Sequence, residues 1–421
     1  MKQLTSRKAP AHTLIITLII IMVIYLLTSS IVFISYFLKK QKHTYLNSQQ
    51  LRNNLISAEN ILQDLGSDLD YNDSLAFDLY HLNEDSIKIK LRPWGVFKIA
   101  SITATKNGQS KQRYLLIGCE KEKDDSTAIY LSSKKNLPLS ISGNTFIKGT
   151  CFVPLKTIKK ANIQGQNYQR KKLIEGKIHQ SEYNLPIVNE SILSEIEKIS
   201  AVSYIENNNI SNLSEDISNS YEKSTIIISS ESAIKITSNI IDGNIIILSK
   251  KEITIEKNVY LNNTILIAPK IIIKSTKKSN LQAFATDSIL IDSNVTLFYP
   301  SCIGIIGNNK KTERLILVDK GCKIKGELFL VDRTDLNINS KIKIMKSSKI
   351  EGSIYSTGSV FIQGELYGDM YTNNIIYSGS GQRYDNLLLD ATIDKSKLSN
   401  YYCYSFLVHN KNKISIVKCL D

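Results

Sequence analysis

The chain has 421 residues, 42% of them hydrophobic, and a formal net charge of +14. That length suggests two or three domains, and that composition supplies ordinary globular cores plus one membrane span. The basic residues are mostly Lys and are spread along the chain beside an over-use of Ile and Asn. This excludes a dense Arg/Lys patch interleaved with aromatics, so no nucleic-acid partner is expected.

Residues 1–12 form a short basic segment. Residues 13–38 then hold 26 positions without a charge, rich in Ile and Leu. About 20 such residues span a bilayer as a helix, so this stretch predicts a transmembrane helix with the lipid bilayer as its partner. It is too long for a cleavable signal core and lacks a small-x-small site, which predicts an uncleaved signal anchor. Lys2, Arg7 and Lys8 precede it and Lys39, Lys40 and Lys42 follow, so the positive-inside rule ties. Residues 39–66 read as a continuing helix, ended by Gly66. Leu51, Leu55, Ala58, Leu62 and Leu65 form an a/d stripe on it. That stripe predicts either association with copies of itself or a neighbouring subunit, or packing on the chain's own β region. The basic start, the Ile/Leu span and the helix carrying LRNNLISAENIL (51–62) resemble the N-terminal region of PilX-type minor pilins and related pseudopilins. The chain departs from them in having no Gly before an aromatic residue at the start of the span and no early Glu. The resemblance implies a pilin-like or secretion-associated envelope subunit.

Residues 67–130 predict a small antiparallel β region. SIKIKL, VFKIASITAT and RYLLIGCE alternate with period two between Gly, Asn and Lys turns. Trp94, the single tryptophan, reads as a core or edge-packing residue.

Residues 131–378 predict a right-handed parallel β-helix, opening near Leu137 and interrupted at 188–222 by the helix-like SILSEIEKI and a polar loop. It resumes at Thr225, where three apolar series recur with a period near 19. TIIIS returns as NIIIL, TILIA, LQAFA and CIGII. AIKI returns as EITI, III, SILI and LILV, and a third series is weaker. A coil of three short strands cannot bury its own apolar face, so coils stack into one core. Further on, Gly352, Gly358, Gly364 and Gly368 mark corners, read as positions of positive φ. The stretch SKIEGSIYSTGSVFIQGELYGDMYTNN resembles bactofilins and related polymer-forming β-helices, which implies a scaffold that stacks end to end. Residues 379–421 predict a cap closed by a hairpin. Its arithmetic opposes Cys403 and Cys419, giving either a disulfide or two free thiols. A disulfide would place the body on an oxidising side of the membrane.

No chemistry stands out. None of the five histidines lies between Thr225 and Tyr377, and no CxxC, P-loop, GxGxxG, HExxH or GxSxG occurs. No metal or cofactor is expected. Asp332, Arg333 and Asp335 are the nearest approach to an acidic cluster. They are candidates for acid/base work on a glycan, or a turn with a local ion pair. The sequence therefore predicts a non-catalytic, single-pass protein of the bacterial inner membrane with an extracytoplasmic body. A carbohydrate-active enzyme and a membrane-tethered polymerising scaffold are the alternatives.

Overall fold

The computed structural model describes residues 11–64, 74–79, 85–122, 125–201, 211–307, 313–333, 339–379, 381–408 and 413–420. The protein is mostly β with one long N-terminal apolar helix. Its chain divides into two compact units. The first is Met1–Glu59, Leu75–Ile89 and Ile102–Gln112; the second is Asn60–Ser74, Lys90–Ser101 and Arg113–Asp421.

Helix α1 runs unbroken over Ala11–Asp64. No Gly or Pro falls within it to end or kink it. Thr17 and Thr28 turn their hydroxyls back onto the carbonyls of Leu14, Ile24 and Tyr25, which satisfies them inside the helix. Leu51, Leu55, Ala58 and Leu62 are buried within the chain, so the stripe is not left open for a partner. Leu65 and Gly66 lie outside the described residues. Strands β1 (Ser74–Phe77), β2 (Asp85–Trp94), β3 (Phe97–Lys106) and β4 (Gln109–Glu120) follow in one sheet, in that order. In the first unit the polar side of α1 is clamped at Asp85. Its carboxylate accepts from Gln50 and Asn54, each at 3.0 Å, and pairs with Lys106 at 3.2 Å. Lys106 also donates to Gln50 at 2.8 Å.

In the second unit short strands pair mostly in parallel and close on themselves, each successive turn of chain forming one coil. One interior row shows the logic. Ile228, Ile247, Leu266, Ala283, Ile303, Leu328, Ile354 and Met370 are successive register partners. All are buried. The apolar series of the sequence are thus laid in register, the second one through Ile234, Ile253, Ile271, Ile289 and Ile316. At about 4.8 Å per coil each isoleucine covers the one below, and no coil could bury this face alone.

Glycine is required where adjacent coils touch. Gly326, Gly352 and Gly368 are register partners with φ of +146°, +151° and +154°. A Cβ on Gly368 would come within 1.7 Å of the Gly352 carbonyl oxygen. Gly358 and Gly364 differ from expectation: neither has positive φ, and each is instead pressed by a carbonyl of the coil beneath, Ser340 and Ser348.

The order of coils departs from the order of the sequence. Met370 continues to Ile129, then Cys151, then Ile178. The coils of 127–180 therefore stack beyond the Gly-rich coils, not before Thr225. The interruption is a return path, taking the chain from the last coil back to the first at Asn212–Leu213 and Ile217–Asn219. Nor does the tail form a capping hairpin. Cys403–Tyr404 and Ile414–Cys419 each pair antiparallel with β4 and not with each other; Tyr404 and Ile414 flank Cys119 from its two sides. Of the first expected hairpin arm only Cys403–Tyr404 is strand, and β4 is the partner of both tail strands.

Candidate functional site: the apolar helix and the seams that close the body

The two parts of α1 meet different surroundings. From Leu14 to Leu38 its large apolar side chains are exposed, Leu14 at 73% and Phe33 at 69%; from Leu51 onward the stripe is covered. The helix is long and apolar enough to cross a membrane. Such a surface is unfavourable in water and favourable in hydrocarbon, with backbone groups already paired inside the helix.

The candidate acids do not form a site together. Asp332 is buried and paired with buried Arg314 at 2.7 Å, and it also accepts from Ser340 at 2.6 Å. Its carboxylate is held by Arg314 and Ser340. Arg333 points elsewhere, to Glu197 at 2.8 Å and Glu190 at 2.6 Å, both on α2 (Glu190–Ala201). Asp335 lies outside the described residues. The SILSEIEKI stretch is this helix, with Ile192, Leu193 and Ile196 buried.

An outward aromatic row explains why the return path is amphipathic. Phe284, Gly304, Phe329, Tyr355, Tyr371, Tyr130, Phe152 and His179 are successive register partners. Phe329 and Tyr355 are buried, and the Tyr355 hydroxyl donates to the Pro186 carbonyl at 2.9 Å on the return path. The rungs toward the last coil stay stacked but half-buried to exposed, with ring centroids 5.5 Å apart for Tyr130–Phe152 and 5.3 Å for Phe152–His179.

The tail is latched by buried ionisable groups that the sequence pattern does not reveal. Lys395 reaches Asp125 at 2.7 Å, Asp369 and the Tyr404 hydroxyl. Burial opposes the Lys395 charge, but Asp369 and Asp125 hold its pKa above the ordinary lysine value. Burial likewise pushes the Asp125 carboxyl up, and Lys395 more than reverses this. Glu327 is buried and accepts from the Ser405 backbone N–H at 2.6 Å and from its hydroxyl. Burial and the nearby Asp369 raise its pKa to about 7, against the lowering effect of Ser405. Gln282, inside the LQAFA strand, donates to the Trp94 carbonyl and accepts from the Val96 N–H, each at 2.9 Å, and so fastens the turn at Gly95. Trp94 is buried edge-on to Tyr221 at 5.5 Å.

None of the six cysteines is joined in a disulfide. Cys403 aligns with Glu120 and Cys419 with Leu115 on β4, five positions or roughly 17 Å apart along the strand, beyond disulfide reach. The expected bridge is therefore corrected, and with it goes the argument it gave for an oxidising compartment. Cys151 is buried, which pushes its thiol up to about 12 and leaves it a poor nucleophile. Among the described residues no group of three or more His, Cys, Asp or Glu is placed to hold a metal ion.

No family model matches the chain, and no curated protein matches it. Among solved structures, it is similar to the crystal structure of the competence-associated pilin ComZ from Thermus thermophilus, at 9% identity over 83% of this chain and 86% of that one. The TM-score is 0.22, too low for the likeness to carry an argument.

Proposed function

We propose that this is a non-catalytic, membrane-anchored subunit of the bacterial cell envelope, pilin-like in layout, that displays a right-handed parallel β-helix outside the cytoplasm. The observation that carries the reading is the change along α1: one unbroken helix is apolar and exposed over its first half, while the apolar stripe of its second half is buried within the chain. That pattern suits a helix leaving lipid and docking on a folded head. The parallel registers of the second unit support the β-helix, and the antiparallel sheet that follows α1 supports the pilin-like layout. The glycan-cleaving alternative loses its first acid, because Asp332 is buried against Arg314.

Two measurements test the reading. Alkaline carbonate extraction of membranes should leave the full chain in the pellet and release an I20K/I24K variant; release of the unmodified chain would remove the anchor. Alkaline phosphatase fused after Leu420 should be active in intact cells; an inactive fusion beside an active cytoplasmic reporter would place the body inside.

A further inference from the structure

The flank of the coil stack and its last coil treat positive charge differently. Along the flank, several lysines are matched to glutamates: Lys250 to Glu231, Lys270 to Glu252 at 2.7 Å and Lys325 to Glu351 at 2.9 Å across neighbouring strands, and Lys349 to Glu351 at 2.7 Å on one strand. The last coil, residues 158–180, is not matched. Lys159, Lys160, Arg170, Lys171, Lys172 and Lys177 are all exposed, with Glu175 the one acid among them. None of the six forms an ion pair among the described residues. This concentration of unpaired charge raises the local potential and draws an anionic partner.

The same coil carries an open cavity of about 300 Å³, lined by Phe146, Tyr168, Arg170, Lys171, Lys172 and Glu175 among others. Arg170 is fixed before any ligand arrives. Its Nε donates to the Asn144 side-chain carbonyl at 3.1 Å and its guanidinium lies 4.7 Å from the Phe146 ring centre. That leaves the two Nη groups as a fork, the geometry that grips a carboxylate through two parallel bonds. The Tyr168 hydroxyl is tied to the Lys172 carbonyl at 2.6 Å, which steadies the connection that carries the lysines.

We propose that this last coil binds a linear glycan bearing carboxylates, with Arg170 gripping one carboxylate in the cavity and the surrounding lysines following the chain. The cavity admits one sugar-sized unit. Single-stranded nucleic acid fits less well, because it needs free aromatic faces for its bases. Here Arg170 occupies a face of Phe146, and Lys160 lies 5.9 Å from the Tyr168 ring centre. The proposal holds whichever side of the membrane the body occupies.

The test uses the full chain in neutral detergent micelles and a fluorescently labelled galacturonate oligomer, read by anisotropy. Binding should be saturable, and the fully methyl-esterified oligomer should bind at least tenfold more weakly. Arg170→Lys keeps the charge and loses the fork, and should weaken binding about tenfold with unchanged thermal stability. K171A/K172A should weaken it several-fold and flatten its salt dependence, while K250A/K270A on the matched flank should not alter it. Failure of the oligomer to bind, or equal binding of its methyl ester, overturns the proposal. So does full affinity in R170K, or tighter binding of an oligodeoxythymidylate, of anionic vesicles or of a second copy of the chain.

Discussion

The coils and the segments laid across them are held by opposite chemistries. Inside the coils the contact is apolar on apolar, mostly isoleucine, repeated row after row with no charge. Across them, the tail and α2 add ions and buried acids to their apolar contacts: Lys395 with Asp369 and Asp125, Glu327 with Ser405, Arg333 with Glu190 and Glu197. The rows give a continuous core that tolerates small changes of shape. The latches fix where a long excursion of chain returns, because a charge left in the wrong place inside the protein is costly.

That difference is sharpest at Lys395. Replacing it with Met keeps the volume and strands Asp369, which is fully buried, beside Asp125. The expected loss is about 3–5 kcal/mol, measured as a shift in the urea midpoint. K395M/D369N, which removes both charges, should regain much of it. If K395M costs no more than a conservative change in an isoleucine row, the latch is not what secures the tail.

Glu327 gives an effect of opposite sign. Its folded pKa, about 7, lies above the ordinary 4.5, so the folded protein holds this proton more tightly than the unfolded chain does. Its contribution to stability is therefore fully present below about pH 4.5 and is lost as pH rises through 7. Glu327→Gln keeps an acceptor for Ser405 and cannot ionise. At pH 8 the variant should be more stable than the parent by on the order of 3 kcal/mol, and the gap should close on acidification to pH 4.5. A gap that does not change with pH would mean that Glu327 is not the titrating group. Within the rows the expectation is smaller: Ile303→Val removes one methylene from a fully buried rung and should cost about 1 kcal/mol at any pH.

The same contrast decides what could be read from the sequence. The rows were legible because their contacts repeat every 19 residues between Ile228, Ile247 and Leu266, so the series align by eye. The apolar helix was legible because hydrocarbon demands an uncharged run. The spatial order of coils was not: nothing in LSISGNTFIKG says that it stacks beyond Met370 rather than before Thr225, since every rung is apolar and any coil could follow any other. Nor were the latches, which join Asp125 to Lys395 and Glu327 to Ser405 across long stretches of chain. Asp332 stands beside Arg333 in sequence, yet its partners are Arg314 and Ser340. Amphipathic SILSEIEKI is legible locally, because its apolar side is buried as Ile192, Leu193 and Ile196.

That helix provides the mildest way to probe the comparison. Arg333 is partly exposed and bridges two carboxylates about two helical turns apart, Glu190 and Glu197, so it pins α2 at two points. Exposed pairs are individually weak, and Arg333→Ala should cost only about 0.5–1 kcal/mol of global stability. Its local effect should be larger than its global one. Hydrogen exchange across 190–201 should speed up several-fold while amides of the isoleucine rows keep their protection, because α2 can open without disturbing the rungs beneath it. Raising salt should speed exchange of α2 in the parent and have less effect in the variant, since only the parent has this pair to screen. Were rows and helix to lose protection together, coils and covering segments would be one cooperative unit, and the division drawn between them would describe chemistry but not folding.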